Sequence, residues 1–228
     1  MTFQRARSEE QREIRRQAIL NTTAAMLDTM RVGEVGLNAL SAQVGLAKSN
    51  VLRYFESREA ILLELLDRDT KQWLGGLSQP LADAVDPDAP GRERGRQLAA
   101  ALARSLAPHR VLCDLLGAQG GVLEHNVSAE TVARYKYAMV DNNGTLSGLV
   151  RRHLPELGAD AAWKVSAMVF VLAGALWGQT QPSHSVRAAY AADPELAALC
   201  WDFTETLEDT LATLIAGILA GDGAPAGR

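Results

Sequence analysis

Lys48, Ser49, Asn50, Arg53 and Tyr54 form a short polar run whose side chains suit one kind of partner. Lys48 and Arg53 can neutralise phosphates or address guanine. Ser49 and Asn50 can hydrogen-bond to base edges or phosphates, and Tyr54 can reach a phosphate. Such groups read a surface only when a rigid element presents them together. Leu37, Leu40, Val44, Leu46, Val51 and Phe55 supply that element, because their three- and four-residue spacing predicts two short helices with a common buried face. Gly45 stands between them, where a tight turn would strain any residue with a Cβ. Gly36 is an acceptable N-cap for the first of the pair, weaker than Ser or Thr. Ser41 is small enough for close approach between helices. Two helices about a glycine turn, the second polar and basic on its outer side, make a helix-turn-helix that lays its second helix in the major groove of duplex DNA.

Asn38, Ala47 and Leu52 complete the expected DNA-facing surface. Arg58 joins them at the start of the next helix, where backbone amides also favour a phosphate. Arg5, Arg7, Arg12, Arg15 and Arg16 are candidates for the flanking backbone or minor groove. The charge distribution agrees with this division of labour. The chain of 228 residues carries a net charge of −4, yet residues 1–58 hold nine Lys/Arg against six Asp/Glu. The remainder holds fourteen against twenty-one. A basic head on an acidic body suits a DNA reader attached to something that does not touch DNA.

The elements that must position this head are helical throughout, with no convincing strand alternation. The first helix is expected to start near Ser8, in capping-box spacing with Gln11, to run through Ile14, Ala18, Ala25 and Met26, and to end before Gly33. A fourth helix is capped by Ser57 and continues through Ile61, Leu62, Leu65 and Leu66 towards Trp73 and Leu74. Residues 79–91 read as a loop. Helices resume over about 92–107, then brokenly over 111–123 because of Gly117, Gly120 and Gly121, and again over 129–153. Asp160 is expected to cap a helix over 161–179. Asp193-Pro194-Glu195 is expected to open a last helix reaching Gly221. The apolar run 165–177 is short for a membrane span and reads as a buried helix. Cys113 and Cys200, the only cysteines, make no disulfide framework, and no secretory signal is expected, so the cytoplasm is the expected setting.

Residues 8–60, and above all VGLAKSNVLRYFESREAIL, resemble the DNA-binding domain of TetR-type transcriptional regulators. Gly45 matches that family's turn glycine. Tyr54-Phe55 matches its aromatic-Phe pair, and Ser57-Arg58-Glu59 its opening of a long helix. The resemblance implies an all-α fold of about nine helices. It implies a helix-turn-helix domain over 1–57, and a ligand-binding and dimerisation domain over 58–228. It further implies a homodimer that represses transcription until a small hydrophobic molecule releases it from its operator. The chain departs from the family at Gly36 or Asn38, often Thr, and at Leu52, often a phosphate-contacting Tyr. Ser41 replaces a common Ala, Tyr54 a common His, and Arg58 the usual Lys. Base preferences therefore do not transfer.

Within the acidic body, Trp73, Cys113, His125, Tyr135, Met139, Asn142, Asn143, Phe170 and Trp177 are candidate pocket residues, with His109 and Tyr137 behind them. Pockets are mostly apolar with a few placed polar groups. Leu199, Phe203, Leu207, Leu211, Leu214, Ile215 and Ile218 form an apolar stripe, and Gly174 and Gly178 permit close helix approach. Trp163, Phe203, Leu207, Leu211, Leu214 and Ile218 are the expected dimer face, although the stripe serves equally well as intramolecular core. His109 and Cys113 have helical metal-ligand spacing without a supporting motif, so no metal or cofactor is expected. No nucleophile elbow, phosphate loop or dinucleotide fingerprint supports an enzyme. Asn126-Val127-Ser128 matches a glycosylation acceptor, but Ser128 suits a helix cap better. The alternative function is a DNA-binding helical factor without a small-molecule effector, controlled by a partner or architectural.

Overall fold

A computed structural model describes residues 2–221, which hold twelve α-helices and no strand. The chain divides into two compact units. One comprises Met1–Asp69 with Ala118–Ala138, the other Thr70–Gly117 with Met139–Arg228.

In the first unit, α1 (Thr2–Leu27) begins before Ser8, so Ser8 lies inside the helix rather than capping it. Nothing between Thr2 and Ser8 breaks a helix, since these residues include no Gly or Pro. The helix buries Ile19, Leu20, Thr23 and Leu27, while Ile14, Ala18 and Ala25 face solvent. Thr23 satisfies its buried hydroxyl on the Ile19 carbonyl at 2.8 Å. A 3-10 turn (Val32–Glu34) follows, closed by the Arg31 N–H donating to the Glu34 carboxylate at 2.8 Å. Then come α2 (Leu37–Val44), α3 (Lys48–Val51) and the start of α4 (Arg58–Gly75). The Ser57 hydroxyl accepts from the Ala60 N–H at 3.1 Å and caps α4. A π-helical turn (Gln119–Leu123) and the beginning of α8 (Ala129–His153) complete the unit.

The second unit continues α4 and adds α5 (Ser78–Ala84), α6 (Gly91–Leu106) and α7 (Arg110–Ala118). Helix α5 occupies part of the expected loop. Leu77, Leu81 and Val85, four apart, are all buried, and Pro80 lies in the first turn, where its missing N–H costs little. After the rest of α8 come α9 (Gly158–Thr180), α10 (His184–Ala192), α11 (Pro194–Ala197) and α12 (Phe203–Gly221). Asp160 does not cap α9: a 3-10 turn (Pro155–Leu157) leads directly into the helix and places Asp160 in its first turn. There its charge still complements the helix dipole. Asp193 does cap a helix, accepting from the Glu195 N–H at 2.8 Å, but α11 ends after one turn. The chain restarts where Asp202 accepts from the Glu205 N–H at 2.9 Å, so the single last helix expected from the sequence is two.

Helix α12 packs on α6 and α9. Gly95 of α6 lies beneath Ile215, and a Cβ there would stand 2.7 Å from the Ile215 Cγ2. Trp177 of α9 meets Phe203 of α12 edge-to-face, with centroids 5.1 Å apart. The segment Pro155–Thr180 has the length and the mean hydropathy, 1.5, of a membrane span. Within the chain, however, Ala162, Val165, Ser166, Val169, Ala173 and Leu176 are packed away. The expected close approach belongs to Gly174, whose Cβ position lies 2.7 Å from the Gly117 nitrogen of α7, whereas Gly178 is open.

Candidate nucleic-acid interface

Helix α2 ends because Gly45 takes the left-handed conformation, φ +71°, and the Leu46 N–H turns back to the Ser41 carbonyl at 3.0 Å. That reversal sets α3 against α2. Ser41 is buried and returns its hydroxyl to the Leu37 carbonyl at 2.8 Å, so the close approach leaves no polar atom stranded. Helix α3 is a single α-turn. The chain then tightens into a turn, with Arg53 N–H bonded to Asn50 O at 3.2 Å and Tyr54 N–H to Val51 O at 2.9 Å, while Phe55 N–H also returns to Val51 O at 3.2 Å. Leu40, Val51 and Phe55 are buried, while Leu37, Val44 and Leu46 are half-buried. Asn38, Ala47, Lys48, Ser49, Asn50 and Arg53 are exposed, Tyr54 is half-buried, and Leu52 stands 41% exposed. An exposed apolar side chain beside Arg53 is suited to a thymine methyl.

Two arginines do structural work that their positions in the sequence did not reveal. Arg16 of α1 donates to the Tyr54 carbonyl and to the Glu64 carboxylate of α4, and its guanidinium lies 4.3 Å from the centre of the Phe55 ring. It therefore fastens the end of the recognition helix to two other helices, rather than reaching outward as its place among the N-terminal arginines suggested. Arg58 donates to the Val32 carbonyl and to Glu59 Oε1, the latter at 3.1 Å, so it ties the 3-10 turn to α4. Arg12 and Arg15 are exposed, and Arg5 and Arg7 lie outside the residues whose side chains are described.

Glu56, the residue after Phe55, was not among the expected site residues. Its Oε1 accepts from the Ser128 N–H at 2.9 Å and from the Ser128 hydroxyl at 3.0 Å. Ser128 in turn accepts from the Thr131 N–H at 3.2 Å and caps α8. The Ser128 backbone bond, first, then a Thr131 side-chain bond and the Arg134 charge, hold the Glu56 carboxyl below its ordinary value.

The candidate pocket residues fall into separate places. His125 is exposed and Tyr135 is buried in the first unit, where burial first, then Glu124 and Asp67, push its phenol well above the usual range. In the second unit, Trp73 donates its indole N–H to the Ser105 hydroxyl at 3.1 Å and meets Phe170 edge-to-face at 5.9 Å. Cys113 is fully buried with its thiol directed to the Leu106 carbonyl, and burial pushes that thiol up to about 12. Asn143 donates to the Trp163 carbonyl at 3.3 Å, and its own amide oxygen is buried without a partner. Asn142 is buried, and Met139 and Tyr137 are exposed. A cavity of about 450 Å³ opens beside Trp73, bounded also by Leu77, Ala101, Arg104, Ser105 and His109. Of the expected dimer face, Phe203, Leu207 and Leu211 are covered within the chain itself, whereas Trp163, Leu214 and Ile218 keep accessible surface.

Residues 67–222 match the family described as Tetracyclin repressor-like, C-terminal domain. No curated protein matches the chain. Among solved structures, the fold is similar to that of the TetR family protein ActR of Streptomyces coelicolor in complex with (S)-DNPA. The TM-score is 0.56 at 17% identity, over 91% of this chain and 98% of that one. It is also similar to the fatty acid degradation regulator FadR of Bacillus halodurans, with a TM-score of 0.53 at 12% identity, over 94% of this chain and 97% of that one.

Proposed function

Because the chain belongs to the TetR-type family of transcriptional regulators, we propose that it is a cytoplasmic, homodimeric repressor that binds a DNA operator and leaves it when a small hydrophobic molecule binds. It acts by binding and not by catalysis. Residues 1–57 form the reader, and residues 58–228 the ligand-binding and dimerisation domain. The observation that carries this reading is the outward cluster of Lys48, Ser49, Asn50 and Arg53 on α3 and the turn that follows it, whose other side, Val51 and Phe55, is buried. Asn38, Ala47, Leu52 and Tyr54 border that cluster. Arg58 contributes by shaping the corner rather than by extending towards phosphate.

The cavity beside Trp73 is the proposed seat of the ligand. Its volume lies in the range of small-molecule sites, and it combines an aromatic wall with Ser105, His109 and Arg104. Trp163, Leu214 and Ile218 are the proposed contacts with the second copy, which supplies the second recognition helix for a two-fold operator. Helix α4 belongs to both units and links cavity to reader covalently: Trp73 lies near one end, Arg58 at the other. Release requires that the ligand bind the DNA-incompetent arrangement more tightly than the competent one.

Selection of a duplex from a random pool, followed by affinity measurement over a range of salt, tests the reader. Replacing Lys48 and Arg53 together by Ala should weaken binding and flatten the salt dependence by about two charges, since each phosphate contact contributes about one. An unchanged affinity and slope in a folded variant would falsify the assignment. Compounds that release the duplex from the wild type but not from a Ser105→Phe variant would support the cavity.

A further inference from the structure

We propose that Glu56 is a positioning residue for DNA reading: its carboxylate joins the turn that follows α3 to the first turn of α8, so that the two move as one body. This rests on the DNA-reading assignment above. Glu56 follows Phe55 directly, and one of its oxygens accepts both the N–H and the hydroxyl of Ser128. A carboxylate at a helix N-terminus is favoured by the helix dipole as well as by these bonds. The Ser128 hydroxyl donates to Glu56 and accepts from the Thr131 N–H, and Arg134 one turn further donates to the Thr131 hydroxyl at 3.1 Å.

The far side of this joint is held as firmly. Asn126 takes a left-handed backbone, φ 57°, which turns the chain into the cap and which Asn tolerates better than most residues. Glu124 accepts from Gln119 at 3.0 Å and pairs with Lys136 of α8, fastening the π-helical turn to the same helix. On the near side, Arg16 holds Tyr54 and Phe55. The joint borders an open polar cavity of about 470 Å³, reached by Arg12, Glu13, Arg16, Glu64 and Arg134, which leaves room for the first turn of α8 to shift. Helix α8 continues past Ala138 into the second unit, so it is a covalent link separate from α4. A shift of α8 along its axis would act on the residue next to the recognition helix without passing through α4.

Hydrogen exchange of the full-length protein, with and without a duplex selected by the wild type, tests this. In the wild type the duplex should slow the amides of residues 48–55 and also those of 128–132. In Glu56→Ala the slowing at 48–55 should persist and that at 128–132 should vanish, with affinity lowered roughly five- to tenfold, the scale of a lost helix cap. Glu56→Gln keeps one oxygen for the Ser128 N–H and should recover part of both. Ser128→Ala should weaken binding similarly, and the double variant no further than Glu56→Ala alone. Wild-type slowing confined to 48–55, or additive losses in the double variant, would overturn the proposal. Absence of slowing even at 48–55 would instead overturn the DNA-reading assignment. Should Glu56→Ala fail to fold, the wild-type exchange pattern and the Glu56→Gln and Ser128→Ala affinities decide.

Discussion

Arg16 shows how far a side chain's task depends on its neighbours. Its guanidinium stacks on Phe55, bonds to the Tyr54 carbonyl and pairs with Glu64, so it organises a helix too short to hold its own shape. Arg16→Met should keep much of the aliphatic packing while losing those bonds, lowering stability by about 1–3 kcal/mol in urea unfolding and loosening α3. Glu56 makes a second prediction, in pH. Its carboxyl is held below 4.5, chiefly by the Ser128 N–H, so its stabilising effect is complete above that value. It is lost as pH falls through the lowered value in the folded protein, because the unfolded chain binds the proton more tightly. The stability advantage of the wild type over Glu56→Gln should therefore shrink on acidification below about 4.5. An advantage that stays constant through that range would contradict the assignment.

At the scale of elements, glycine spacing proved informative only in part. Gly174 and Gly178 look equivalent along α9, yet only Gly174 faces the backbone of α7, where a Cβ would meet Gly117 N and Leu116 C at 2.7 Å. Gly174→Ala should cost about 1–3 kcal/mol through overpacking. Gly178→Ala has nothing within 4 Å and should be neutral or stabilising by up to roughly 1 kcal/mol through helix propensity. Thermal unfolding of the two variants checks the contrast. Helix α5 was legible in hindsight: Leu77, Leu81 and Val85 keep helical spacing, but Pro80 and the Asp-rich residues after it read as loop. The break between α11 and α12 had no comparable signal, because Asp193 and Asp202 both offer sound caps and spacing does not show that both are used.

For the whole molecule, the acidic helical body and the basic head are separate in composition, and the family match over 67–222 covers the part whose sequence carries the fewest motifs. The dimer stripe is the instructive case. Phe203, Leu207 and Leu211 are consumed by the chain's own core, and of the expected face Trp163, Leu214 and Ile218 keep accessible surface, which makes them the proposed contacts with a second copy. Sedimentation should find twice the chain mass for the wild type. Trp163→Glu combined with Ile218→Glu should give a folded monomer with greatly weakened binding to a two-fold operator, since burying unpaired carboxylates at an interface is costly. A folded variant that remains a dimer would move the interface elsewhere.

The amino-acid sequence determined the helical class, the helix-turn-helix and its outward residues, because these follow from local periodicity, a turn glycine and side-chain chemistry close together along the chain. Tertiary structure alone decided which apolar stripe is core, which arginine clamps and which faces outward, and that Glu56 meets Ser128, seventy-two residues away. Those outcomes depend on which surfaces come together when helices pack, and a pairing between distant residues leaves no periodic trace in either partner.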